Sequence, residues 1–155
     1  MAKGKKDYEL ADKLIRTWST FVPEEAVTEV AKTLRSKWIN TGKKERELRE
    51  EVCDKWKFPF CVAVNNGTAA LRASLAMLGV GSGDEVISTP FTFIATNTAI
   101  LEQGAKPVFA DIKYEDLNID PQSIKKHITS KTKAIMIVHY GGNPCDLDEI
   151  REIGK

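Results

Sequence analysis

"CVAVNNGTAALRASLAML", residues 61–78, holds a short apolar run, a polar break at Asn65-Asn66-Gly67, and a second apolar run with a different period. Asn-Gly between apolar segments is first of all a hairpin signal, because both residues tolerate the positive φ of a tight turn. The run after Gly67 has the wrong period for a returning strand. "TAALRASLAML" is rich in alanine and leucine and apolar nearly all round, which is the pattern of a buried helix. Residues 61–68 therefore read as a strand, a turn and a helix start. At such an elbow the first N–H groups of the helix lack intrahelical acceptors and the helix dipole is positive, so an anion is attracted there. Gly67 lets the backbone approach a ligand closely, and Thr68 adds a hydroxyl donor in the first turn. A phosphate is the natural guest. A threonine at a helix start also serves as a plain cap, and the glycines of a Walker loop or a GxGxxG fingerprint are missing.

On either side of the elbow the chain has two textures. Residues 20–38 read as a helix, with Pro23 in its first turn, Glu24 and Glu25 at the positive end of the dipole, and Val27, Val30, Ala31 and Leu34 at helical spacing. After a break at "NTG" (40–42), residues 43–57 form a second helix whose many charges read as a solvated face. From Phe58 short apolar runs alternate with helices. Strands are expected at 60–64, 85–89, 106–112 and 133–140, and helices at about 68–79, 93–103 and 121–128. Asp120-Pro121 is a cap followed by proline at the first helical position. This β–α alternation, with strands apolar on both faces, predicts an α/β fold with a mostly parallel sheet flanked by helices. The expected organisation is an N-terminal helical arm over 1–57 and an α/β domain over 58–155. "NPCDLDEIREIGK" opens a last helix, with Asp146 and Glu149 as a capping box. It stops within about two turns, so the chain reads as cut and the domain as incomplete at its C-terminal end.

The bulk numbers exclude several classes. A chain of 155 residues, 42% hydrophobic and 29% charged, fits one soluble globular domain. A net charge of +1 gives no field that favours nucleic acid or an anionic membrane. No apolar run approaches membrane-spanning length, and "MAKGKKDYEL" lacks the apolar stretch of a signal peptide. Cys53, Cys61 and Cys145 are odd in number and far apart, and His127 and His139 lack ligand spacing, so neither a metal site nor a disulfide framework is expected. A reducing, cytoplasmic setting fits this cysteine usage.

A second elbow, "STPFTFIATNTAI" (88–100), leaves the next strand with Phe91 and Phe93 close together. Both strand exits fall at the carboxyl edge of a parallel sheet, where open α/β sheets bind ligands. An aromatic there can stack on a planar heterocycle. Phe91 reads as a core residue.

"NNGTAALRASLAMLGVGSGDEVISTPFTFIATNTAILEQGAKPVFADI" resembles the pyridoxal-phosphate (PLP) sugar aminotransferases of the DegT/DnrJ/EryC1/StrS family. Their pattern has a Gly-Thr-x-Ala-Leu elbow, a Gly-Asp-Glu-Val turn, Thr-Phe-x-Ala-Thr and Gly-Ala-x-Pro-Val-Phe-x-Asp. The likeness extends through "LNIDPQSIKKHITSKTKAIMIVHYGGNPCDLDEI" and back into "SKWINTGKKERELREE", covering nearly the whole chain from about residue 20. It implies part of the large domain of a fold-type I PLP-dependent transferase. By resemblance, Gly67 and Thr68 hold the cofactor phosphate and Phe93 stacks on its ring. Asn66 stands where the family has a small serine. "WINTG" resembles a loop that approaches the family's active site, which makes Thr41 a candidate on the substrate side. "VHYGG" resembles the family's Val-His-Leu-Tyr-Gly, and His139 reads as structural.

The family's chemistry also needs a lysine to form a Schiff base and an aspartate to hold the pyridinium nitrogen protonated. In the family both lie beyond the segment matching Asp146–Glu149, so no catalytic residue is assigned within these 155. The resemblance implies transfer of an amino group, typically from glutamate, to a keto-sugar carried on a nucleotide, by a homodimer. A pyridoxamine-phosphate dehydratase of the same family and a non-catalytic, phosphate-binding remnant are the alternatives.

Overall fold

The computed structural model describes residues 20–155. In chain order they form α1 (Glu24–Arg35), α2 (Lys43–Trp56), α3 (Gly67–Met77), β1 (Glu85–Ser88), α4 (Ile94–Glu102), β2 (Lys106–Phe109), α5 (Pro121–His127), β3 (Thr132–Ile135), a single 3-10 turn (Tyr140–Gly142) and α6 (Leu147–Ile153). They divide into two compact units between Val62 and Ala63, where the sequence placed its boundary at 57/58.

In the second unit, β1 is buried at all four positions and pairs in parallel with β2 on one side and β3 on the other. Its side chains alternate between the faces. Val86 joins Leu75 of α3, Ala99 and Ile100 of α4, Val80 and Ala105 in one core cluster. Ile87 joins Ile124 of α5, Ile150 of α6, Ala110, Ile119 and Cys145 in another. The chain steps from β1 to β2 in one direction and then crosses back past β1 to β3. Crossovers of a single hand must therefore place α4 and α5 on opposite faces, as observed. The α/β, mostly parallel, helix-flanked expectation holds.

α3 ends in a Schellman turn. Gly79, at φ +68, donates its N–H to Ala76 O at 3.0 Å, and Val80 donates to Leu75 O at 3.0 Å. Val80 and Leu75 then share the core, so this turn feeds the chain into the amino end of β1. α3 consequently runs back along the sheet, with its N-terminus at the carboxyl edge. α5 starts as its sequence predicts, with Asp120 Oδ1 accepting Gln122 N–H at 2.9 Å ahead of Pro121.

Several expectations are corrected. Residues 60–64 are not a strand, and Phe60 (87% exposed) and Val62 (79%) lie open. The apolar run is real, but no neighbouring edge pairs with it among the described residues. The other strands stop early, at Phe109 and Ile135, because β1 ends at Ser88 and offers each a single further bond: Ala110 N–H to Ser88 O and Met136 N–H to Ile87 O, both 2.8 Å. Asp146 and Glu149 form no capping box. Asp146 instead pairs with Lys113 Nζ at 2.7 Å, and Glu149 accepts from Gln122 (2.6 Å) and Lys125 (2.9 Å). Those longer-range partners win because each brings a cation or amide from another element. Pro23 sits at the N-cap of α1, one position before the helix.

Among the described residues the first unit holds a pair of helices. Glu29 of α1 takes Lys32 at 2.8 Å and Lys44 of α2 at 2.9 Å, and these two ammonium groups hold its carboxyl down at about 2. In the connection Trp38 Nε1 donates to Thr41 O at 3.0 Å, and the indole lies over Gly42, where a Cβ would fall 2.6 Å from Nε1. A larger residue there would have to displace the indole. The expected N-terminal arm also includes residues 1–19, which lie outside the described residues.

Candidate functional site

Parallel α/β sheets bind ligands outside the carboxyl ends of their strands, at the point where the strand order reverses. Here that point lies between β1 and β3, and the chain brings to the same edge the elbow at 65–68, the exit of β1 and the exit of β3.

The elbow starts α3 with Asn66 at the N-cap, whose Oδ1 accepts Ala69 N–H at 2.8 Å. Asn66 is thus a helix cap, and it removes Ala69 from the set of free donors. The first backbone bond of the helix runs from Ala70 N–H to Asn66 O at 3.2 Å. The N–H groups of Gly67 and Thr68 are left without acceptors among the described residues, and Thr68 Oγ1 is likewise free of a protein partner among them. A Cβ built on Gly67 meets no heavy atom within 4 Å, so the space in front of this backbone is open. A valine there would project into that space.

The exit of β1 carries Phe93 at the N-cap of α4, 76% exposed, with its flat face available. Phe91 is not a core residue. It is 41% exposed, and its ring packs on Tyr140, centroids 4.7 Å apart and planes tilted by 33°. An aromatic partner from the β3 exit replaces the core packing expected of it. Below them Asn97 Nδ2 donates to Thr89 O at 3.0 Å, while its buried Oδ1 and the buried Ser88 Oγ have no partner among the described residues.

The exit of β3 is held by Asn118, 1% exposed. Its Nδ2 donates to Asn143 O (3.2 Å) and Pro144 O (3.1 Å), and its Oδ1 accepts Tyr140 N–H at 3.0 Å. Cys145 Sγ donates to Val138 O at 3.2 Å, and burial pushes this thiol up from its ordinary range. His139 Nδ1 accepts Cys145 N–H at 3.0 Å, which agrees with its expected structural role. Sequence reasoning did not find Asn118, because its partners stand more than twenty residues further along the chain. Thr41 belongs to the first unit, where its carbonyl accepts from Trp38 and its side chain is exposed.

A phosphorylated pyridine needs an anion seat and a flat apolar face, and these residues fit it. Gly67 and Thr68 offer unpartnered donors before open space, and Phe93 offers the face. A parallel sheet of this order with such an edge is part of the large domain of a fold-type I PLP-dependent transferase. The chain belongs to the DegT/DnrJ/EryC1/StrS aminotransferase family, which it matches over residues 22–155. It is 42% identical over 134 residues to the spore coat polysaccharide biosynthesis protein SpsC of Bacillus subtilis, covering 86% of this chain and 34% of that protein. Spr1654 of Streptococcus pneumoniae, described as a sugar aminotransferase and solved in its PLP form, superposes with a TM-score of 0.83 at 38% identity, over 90% of this chain and 36% of that one. DesV of S. venezuelae, solved with a ketimine intermediate, gives a TM-score of 0.77 at 32% identity, over 84% and 36%. The chain spans about a third of the length of each of these relatives.

Proposed function

We propose that this chain is the N-terminal part of a PLP-dependent aminotransferase that moves an amino group from an amino acid, glutamate the expected donor, to a keto-sugar carried on a nucleotide. The observation that carries the reading is the open elbow at Gly67 and Thr68 on the same sheet edge as the exposed ring of Phe93. When bound, PLP supplies an electron sink that lets an amino group be exchanged between two carbon skeletons. This chain's share of the work is binding and orientation. The N–H groups of Gly67 and Thr68 and the Thr68 hydroxyl hold the phosphate, and the positive end of α3 favours its charge. Phe93 lies against the ring and keeps water from that face.

The Schiff-base lysine and the pyridinium aspartate belong, by this reading, to the remaining length of the protein. Thr41 is the proposed substrate-side residue of the first unit. A homodimer agrees with the apolar side chains left open on and after α3 and on α4, where Met77 is 86%, Leu78 60%, Ile94 70% and Leu101 57% exposed. No helix among the described residues is long and apolar enough to cross a membrane. The test is titration of the full-length protein with PLP and glutamate, followed by visible absorbance. A PLP band that glutamate converts to the pyridoxamine form supports the reading. Absence of PLP binding, or a bound cofactor indifferent to amino donors, overturns it. Residues 1–155 alone should yield no borohydride-fixed lysine adduct.

A further inference from the structure

His139 has a structural bond, yet only one of its ring nitrogens is used in it. Nδ1 accepts the backbone N–H of Cys145 at 3.0 Å. A nitrogen that accepts from an amide cannot carry a hydrogen of its own, so the hydrogen of the neutral ring sits on Nε2. Nε2 has no partner among the described residues, and the side chain is exposed. The backbone around it is fixed from several directions. His139 O accepts Gly142 N–H at 3.1 Å, the next residue's N–H goes to the buried Asn118, and Cys145 Sγ ties back to Val138 O. Tyr140 packs on Phe91, so residue 139 stands beside the contact that joins the β3 exit to the β1 exit. A ring whose tautomer and backbone are both fixed, at the ligand edge of the sheet, presents one N–H donor in a set direction.

We propose that His139 contacts the cofactor, with its Nε2–H donating to an oxygen of the bound PLP; this rests on the proposed function as a PLP enzyme. The oxygen is either the hydroxyl of the pyridine ring or one of the phosphate, and both are acceptors in the bound form.

Two substitutions separate the two nitrogens in the full-length protein. His139→Asn keeps an acceptor near Nδ1 and removes the Nε2 donor. His139→Gln keeps a donor near Nε2 and loses the Nδ1 acceptor. Dissociation constants are measured for three probes: PLP, pyridoxine (which has the ring hydroxyl and no phosphate) and inorganic phosphate. His139→Asn should weaken PLP roughly tenfold with little change in melting temperature, the size expected for one hydrogen bond to a charged or strongly polar acceptor. His139→Gln should bind PLP within about threefold of the wild type and melt lower. Parallel weakening of pyridoxine identifies the ring hydroxyl, and parallel weakening of inorganic phosphate identifies the phosphate. Unchanged binding of all three probes by His139→Asn, or equal loss in both variants, overturns the proposal. As a check that does not depend on variant folding, the imidazole nitrogen signals of 15N-histidine-labelled wild type should show a Nε2–H of His139 that moves on PLP addition. A resonance that stays still also overturns it. Gly67→Val serves as the separate control: its loss of PLP binding tests the elbow, whatever His139 does.

Discussion

Asn66 Oδ1 accepts the backbone N–H of Ala69 at 2.8 Å, and this single bond decides how many donors the elbow offers an anion. A shorter serine would share this capping role. With the asparagine in place, Gly67 and Thr68 supply the free N–H groups and Thr68 the hydroxyl. Asn66→Ala should therefore separate two quantities. Helix stability should fall by about 1 kcal/mol from the lost cap, while PLP affinity is kept, because a third N–H becomes free. Thr68→Ala should weaken PLP by about 1 kcal/mol, the value of one donor, and Gly67→Val should block the approach altogether. Urea midpoints and PLP titrations on the three variants check this. Loss of PLP affinity in Asn66→Ala would make its carboxamide a ligand rather than a cap.

Phe93 is 76% exposed and caps α4 only with its backbone. Truncating it removes almost no buried area, so Phe93→Ala should leave stability within about 0.5 kcal/mol of the wild type. Its loss should appear in ligand binding, where stacking between aromatic rings contributes about 1 kcal/mol beyond area. Phe93→Trp should restore that affinity. If the alanine variant binds PLP as well as the wild type, the ring is not a stacking platform. Phe91→Ala makes the contrast, because it loses the Tyr140 contact and should destabilise the edge itself.

Period and caps made most elements of the second unit legible. The alanine- and leucine-rich run after Gly67, the Asp120-Pro121 start and the apolar strand "EVIS" all appear where their residues place them. What was not legible depends on partners. An apolar run such as 60–64 becomes a strand only beside another edge, and its sequence cannot report whether one is present. Phe91 looked like core because the amino-acid type favours burial, while its actual neighbour, Tyr140, comes from a distant strand exit. Asp146 and Glu149 have the right spacing for a capping box, but Lys113, Gln122 and Lys125 reach them first. Of the proposed site residues, Gly67 and Thr68 could be named from the local elbow pattern and Phe93 from the family resemblance. Asn118 could not, since its role lies wholly in tertiary contacts.

Asn118 is the buried clamp of the β3 exit, and both polar atoms of its side chain are used by backbone. Asn118→Ala leaves two carbonyls and the Tyr140 N–H without their partner. A cost of about 3 kcal/mol is expected, since unsatisfied buried groups cost roughly 1–3 kcal/mol each and partial rehydration offsets some of that. Asn118→Asp, though nearly isosteric, should be no better, because a carboxylate cannot donate to the carbonyls of Asn143 and Pro144. Chemical denaturation measures both. An aspartate variant as stable as the wild type would show that the two donated bonds contribute nothing.

At the opposite, amino end of β1, Glu85 is 9% exposed and accepts from Thr129 Oγ1 at 2.6 Å and from Lys106 Nζ at 3.3 Å. The Thr129 hydroxyl first, and then the Lys106 ammonium, hold its carboxyl below its ordinary value against the opposing effect of burial. A carboxylate with a lower pKa folded than unfolded stabilises the protein fully above the unfolded value, about 4.3. That contribution is lost as pH falls through the folded value. The wild type should therefore lose stability more steeply than Glu85→Gln as pH drops below about 4.3. Above about pH 6 the curves should run parallel, with the variant lower by a constant offset. Melting temperatures of both proteins across that range make the comparison, and the difference between them isolates Glu85 from the other paired carboxylates. Identical pH slopes would mean that the Thr129 hydroxyl does not discriminate between the charged and neutral carboxyl. The bond would then be a plain strand-end contact with no part in acid sensitivity.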